Sequence, residues 1–142
     1  MITRIKRLVH HYYWDFDYNC AKTMLFCLGE FFDICFEKQT LNAATGMHGA
    51  GRFGAQCGLV EGALMFMGIY FVRAGKSDAE VERICYDFAA KFTKEFGSLR
   101  CDELRPGGFT AADPPHACEP LSVAAVDFAF NYIKKLDRGR LA

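Results

Sequence analysis

The stretch Gly54-Ala-Gln-Cys-Gly-Leu-Val-Glu-Gly-Ala-Leu-Met-Phe-Met-Gly-Ile-Tyr-Phe-Val72 decides the fold. Glu61 is its single charged residue, and from Thr40 to Val72 only Arg52 is added. A helix facing water carries a polar stripe, so a segment this poor in charge implies a helix enclosed by protein. Its longest apolar run, Gly62 to Val72, falls short of the roughly 20 residues of a membrane span. The reading is therefore a buried central helix, Gly54 to Val72. Gly54, Gly58 and Gly62 recur every fourth residue and form a bare stripe. In a membrane such spacing favours helix pairing; here it predicts close packing inside a core.

On either side of this segment the apolar residues follow helical spacing, and convincing strand alternation is absent. A first helix, about Ile2 to Tyr13, aligns Ile5, Leu8, Val9 and Tyr12. Asn19 is a good N-cap for a second, in which Met24, Cys27, Leu28, Phe31 and Cys35 share a face. Gly29 within it is unfavourable by about 1 kcal/mol relative to Ala. A short helix follows near Glu37 to Ala44. Ser77 and Glu80 form a capping box for an amphipathic helix through Val81, Ile84, Cys85, Phe88, Phe92 and Phe96, ending at Gly97. Ser98 to His116 reads as loop, with three of the four prolines. The last helix starts at Ala117 or Cys118 and runs to Leu136, with Pro120 tolerated in its first turn. The expectation is a single all-α domain over residues 1–142: a bundle of five to six helices, with a glycine-rich loop leading into a buried central helix.

Composition narrows the function. Lys+Arg and Asp+Glu are both 17, a balance that favours neither nucleic acid nor a polybasic membrane contact. The first ten residues scatter charge and have no apolar signal core. A cytoplasmic protein is the expectation, a compartment where thiols stay reduced unless chemistry uses them. Seven cysteines are then notable, and an odd count leaves at least one outside any internal pairing.

Gly49-Ala-Gly-Arg-Phe-Gly54 satisfies G-x-G-x-x-G, but that motif needs a strand before it and a βαβ unit around it. No NAD or flavin is expected. The loop could instead offer N–H groups to an anion or substrate, with Gly49, Gly51, Gly54 and Gly58 as candidates and His48 beside them. No two cysteines have zinc-ribbon or C-x-x-C spacing. Cys20 and Cys27, seven residues apart, lie about 10 Å apart along a helix, too far for a disulfide. Cys20, Cys57 and Cys118 fall at expected helix starts, where the helix dipole and free N–H groups stabilise a thiolate. Cys101, among charges in the loop, reads as the most accessible thiol. Cys27, Cys35 and Cys85 sit at core spacing and read as packing. His10 and His11 read as surface residues, and Glu61 as half of an ion pair with Arg52 its nearest cation in sequence, or else as a carboxyl with a raised pKa.

Asp17-Tyr-Asn-Cys-Ala21, the glycine loop running into Cys57-Gly-Leu-Val-Glu-Gly62, and the isolated Cys101 and Cys118 resemble the C_GCAxxG_C_C family of redox-active proteins. The resemblance runs from about Tyr13 to the last helix. It implies Cys20, Cys57, Cys101 and Cys118 as the four characteristic cysteines, and a link to transporter systems. Leu59 replaces the motif's Ala, a larger side chain expected to narrow the space beside Cys57.

Three functions follow as expectations. The first is a thiol redox protein, cycling dithiol and disulfide or carrying a persulfide, with a low-pKa Cys57 attacking, a second cysteine resolving, and an unidentified redox partner. The second is a metal–thiolate site in which Cys20, Cys57, Cys101 and Cys118 hold an iron–sulfur cluster or zinc. The third is a non-catalytic binding module docking a partner or a second copy through Tyr12 to Tyr18.

Overall fold

The computed structural model describes residues 1–105, 107 and 112–141, with nothing said of the side chains of residues 140 and 141. Its elements are α1 (Ile2–Trp14), α2 (Cys20–Phe32), α3 (Lys38–Ala43), α4 (Gly49–Arg52), α5 (Gly58–Arg73), α6 (Asp78–Phe96), α7 (Cys101–Leu104) and α8 (Glu119–Leu141). No strand occurs among the described residues; one isolated antiparallel bridge joins Gln56 to Arg100. The fold is all-α. The five long helices and short α3 were anticipated, and α4 and α7 are four-residue additions within the expected loops.

The charge-poor segment is the central helix, α5, which buries Leu59, Val60, Ala63, Phe66, Met67 and Phe71. It packs most extensively on α2, and glycines set that approach. A Cβ on Gly62 would lie 2.5 Å from the Ala21 carbonyl oxygen and 3.0 Å from its Cα; one on Gly58 would lie 2.9 Å from the Cβ atoms of Cys20 and His48. Gly54 does not belong to this stripe. It has φ +97° in the turn before α5, and the helix starts at Gly58, with Cys57 as its N-cap.

α2 begins where Asn19 accepts the Lys22 N–H at 2.8 Å, and the Asn19 amide donates to the Ala44 and Thr45 carbonyls at 3.0 Å each. The cap thus also anchors the glycine-rich segment. α2 ends earlier than its apolar spacing suggests, because Asp33 turns left-handed (φ +55°). The chain doubles back so that Ile34 and Phe36 approach Gly29, whose missing side chain makes the room. Cys35 therefore leaves the core face and is exposed.

α6 keeps its capping box and its glycine stop, Gly97 at φ +93°. Between α6 and α8, Phe88, Phe92, Phe96, Phe128 and Tyr132 interlock at ring separations of 4.5–6.0 Å. At one end of the α2–α5 seam the starts of these two helices meet the glycine-rich segment, through Asn19 at the Ala44 and Thr45 carbonyls and Gly58 at His48. Among the described residues no helix is long and apolar enough to cross a membrane.

Candidate functional site: a cavity of four cysteines

Folding brings Cys20, Cys57, Cys101 and Cys118 to the wall of one cavity of about 390 Å³. Each stands at a helix start: Cys20 opens α2, Cys57 caps α5, Cys101 opens α7, and Cys118 immediately precedes α8. Cys57 and Cys101 are clamped by the bridge. The Cys57 N–H donates to the Leu99 carbonyl at 2.8 Å and the Cys101 N–H to the Ala55 carbonyl at 2.7 Å, one on each side of the Gln56–Arg100 pair. The Cys118 carbonyl accepts from the Ser122 N–H at 2.8 Å and its hydroxyl at 2.9 Å, fixing the entry to α8.

Tyr13 ties these starts together from α1. Its hydroxyl lies 3.2 Å from the Cys20 sulfur, to which it donates, and 2.5 Å from Ser122 Oγ. Its ring stacks on His116 at 4.5 Å, and His116 Nε2 meets the Asp17 carboxylate at 2.9 Å. Both Asp17 and His116 line the cavity, and both hold positive φ. Arg105 pairs with Asp113 at 3.0 Å, donates to the Pro114 carbonyl at 3.1 Å, and brings Nη1 to 4.0 Å from the Cys118 sulfur.

The electrostatics correct one expectation. Helix starts were expected to lower thiol pKa values, with Cys57 lowest. Burial instead pushes the Cys57 thiol up to about 12, with Cys20 adding to the rise; the amides of Leu59 and Val60 oppose both and lose. Burial likewise raises Cys20 to about 11, against the Tyr13 hydrogen bond. Cys101 and Cys118 are raised too, first by burial. At Cys118 the Arg105 guanidinium is the leading counterweight. Desolvation of the thiolate outweighs the partial charge of a helix end, and at Cys118 it outweighs the nearby Arg105 guanidinium as well.

The glycine loop is a left-handed turn. Gly49, Ala50, Gly51 and Arg52 all have φ between +54° and +69°. Its amides close on the loop itself: Gly49 donates to Gln56 O, Gly51 to Gly46 O and Gly54 to Gly49 O at 2.8–3.0 Å. Gly49 packs beneath Cys101, where a Cβ would sit 3.5 Å from the sulfur, and Gly58 faces Cys20 and His48. Of the loop, His48 and Arg52 line the cavity.

The remaining residues divide clearly. Leu59 is fully buried in the core and does not line the cavity. Cys27 is buried and Cys85 half-buried, away from the cavity; Cys35, not Cys101, is the exposed thiol. His10 and His11 are on the surface, pairing with Glu119 and Asp15. Glu61 accepts from the Gln56 side chain. Tyr13, Lys22, Arg105 and Ser122 were not singled out from the sequence. Tyr13 had one usable signal, since a tyrosine at buried helical spacing must find a partner for its hydroxyl.

The family model described as "Putative redox-active protein (C_GCAxxG_C_C)" matches residues 18–132, a span that holds all four cavity cysteines. The chain belongs to the C_GCAxxG_C_C family. No curated protein and no solved structure matches it. For this C_GCAxxG_C_C protein the spatial gathering of the four cysteines is a property of its own fold. All seven cysteines are free thiols, and among the described residues no three His, Cys, Asp or Glu side chains are grouped as a metal site requires.

Proposed function

We propose that this protein is a thiol redox protein in which two of Cys20, Cys57, Cys101 and Cys118 cycle between dithiol and disulfide. The observation that carries the reading is the shared cavity, which draws together four cysteines spread over 99 positions of sequence. Cys118 is the attacking thiol in this reading, because Arg105 is the full positive charge beside a cavity sulfur. Cys20 and Cys101 are the candidate resolving thiols, since each has Cys118 as its foremost thiol neighbour in the electrostatics. In the forward step the two protein thiols give up two electrons and two protons to a partner disulfide, which becomes two thiols. Among the described residues no three ligand-type side chains come close enough together to hold a metal ion, so the shared cavity supports a pair of thiols better than a metal–thiolate site.

Counting thiols in a Cys35→Ser chain before and after exposure to a small disulfide tests this. Loss of two thiols, restored by dithiothreitol and abolished in Cys118→Ser, is the expected result. An unchanged thiol count in the folded protein overturns the reading.

A further inference from the structure

We propose that Tyr13 and Ser122 form a reversible hydrogen-bonded row that makes Cys20 the resolving thiol, with Ser122 a positioning residue that acts through Tyr13. The proposal rests on the thiol redox reading and chooses between its two resolving candidates.

The row runs from the Cys20 sulfur to the Tyr13 hydroxyl at 3.2 Å, to the Ser122 hydroxyl at 2.5 Å and on to the Cys118 carbonyl at 2.9 Å. Tyr13 and Ser122 are 1% and 0% exposed, so bulk water does not supply protons to it. Three contacts need three protons, and the two hydroxyls carry two. A protonated Cys20 brings the third. When Cys20 ionises, one contact loses its proton, and the last is the one that can be spared. The Cys118 carbonyl still accepts from the Ser122 N–H at 2.8 Å, so no buried acceptor is orphaned. Ser122 then turns its hydroxyl to Tyr13, and Tyr13 donates to the thiolate. His116, stacked on the Tyr13 ring at 4.5 Å, holds the phenol in line.

The two resolving candidates differ in what favours their thiolates. At Cys20, burial and the sulfurs of Cys118 and Cys101 oppose ionisation, and Tyr13 is the leading group in its favour, ahead of Arg105. Arg105 is itself paired with Asp113, so its charge is shared. The other ionisable groups of the cavity wall, among them Asp17, Lys22, His48 and Cys57, act on Cys20 less. Burial, and after it Cys20, holds the Tyr13 hydroxyl well above its ordinary pKa, so it remains a donor at neutral pH. Among the described residues no hydroxyl donates to Cys101, where burial and then Cys118 oppose the thiolate. In the resolving step the Cys20 thiol loses its proton and its sulfur attacks the Cys118 sulfur of the mixed disulfide. The Cys20–Cys118 bond forms, the bond from Cys118 to the partner sulfur breaks, and the partner thiolate leaves with that electron pair and takes up the proton.

The experiment follows iodoacetamide alkylation of Cys20 by peptide mass on the Cys35→Ser chain, in a double-mutant cycle of Tyr13→Phe and Ser122→Ala. Near neutral pH, well below the Cys20 pKa of about 11, the rate follows the thiolate fraction. Tyr13→Phe is expected to slow Cys20 about tenfold, the scale of a lost hydrogen bond to a charged group. Ser122→Ala is expected to slow it about threefold, the scale of a neutral hydrogen bond, and to have no effect in the Tyr13→Phe background. A merely loosened start to α8 would instead speed alkylation in both backgrounds. That result, an unchanged rate, or a Ser122→Ala effect of equal size in both backgrounds overturns the inference. On the chain carrying Cys35→Ser alone, peptide mapping after oxidation by hydroxyethyl disulfide should find Cys118 joined to Cys20. A bond from Cys118 to Cys101 overturns the inference and leaves the redox reading standing. If no cavity disulfide forms, the redox reading falls and this inference with it.

Discussion

Helix α2 carries two cysteines two turns apart, and they live in different worlds. Cys27 is sealed among apolar side chains; burial and the Glu30 carboxylate push its thiol up to about 12. Cys20 is also desolvated, yet it receives the Tyr13 hydroxyl, feels Arg105, and has the other cavity thiols for neighbours. The same residue type on the same helix is packing at one end and a candidate for chemistry at the other. Burial alone does not distinguish them. The polar neighbours do, and tertiary structure supplies those: α1 brings Tyr13, α7 brings Cys101, and the segments before α8 bring Arg105 and Cys118.

The strongest way to break the contrast is to pry α2 from α5 at the Cys20 end. Gly62→Leu sets side-chain atoms against the Ala21 backbone, which cannot rotate away. A loss of about 3 kcal/mol in denaturant unfolding is expected, at the upper end of overpacking effects. An unchanged midpoint would mean that the helices do not approach as described.

A smaller change acts on the hydroxyl that sets Cys20 apart. Tyr13→Phe removes the donor to the Cys20 sulfur and the bond to Ser122. It should cost about 1–2 kcal/mol. Alkylation of Cys20, followed by peptide mass, should move to higher pH while that of Cys27 stays where it was. Equal shifts at both cysteines would refute a specific role for Tyr13.

Alkali tests what the two ends have in common. Cys20, Cys27 and Cys57 have folded pKa values above the ordinary thiol value of 9.0. The folded state therefore keeps protons that the unfolded chain releases. Their contribution to stability is complete below pH 9 and is lost as pH rises through about 11 and 12. Unfolding midpoints should fall over that range, and less steeply in Cys27→Ala. A midpoint that rises with pH there would contradict the burial of these thiols.

The smallest expected effect comes from the glycine loop. Ala50 holds φ +54° within the left-handed turn, a conformation unfavourable by about 1–2 kcal/mol for an L-residue. Ala50→Gly should stabilise the protein by about 1 kcal/mol once the added freedom of the unfolded chain is subtracted. Destabilisation would show that the Ala50 methyl contributes contacts that outweigh the strain.

Much of the fold was legible because it is written in local terms. Absence of charge marked α5, glycine spacing marked its seam with α2, and Ser77 with Glu80 marked the start of α6. The misreadings share a cause. Cys35 was assigned to the core by periodicity, but a left-handed Asp33, which no spacing rule reveals, ends α2 first. Cys57 was expected to ionise readily because a helix start can be read along the chain, whereas the desolvation that outweighs it depends on what folds over the top. The four cavity cysteines were assembled as a set only through the family pattern, since their separations along the chain carry no information on distance in space. Arg105 and Lys22 had no signal at all, because a cation's value here depends on the sulfur or cavity it faces.

Peptide mapping of the oxidised, folded protein by mass spectrometry is the most direct test. The account predicts an intramolecular disulfide joining Cys118 to Cys20 or Cys101, with Cys27 and Cys85 remaining as thiols. A disulfide involving Cys27 or Cys85, or oxidation confined to the exposed Cys35, would contradict it.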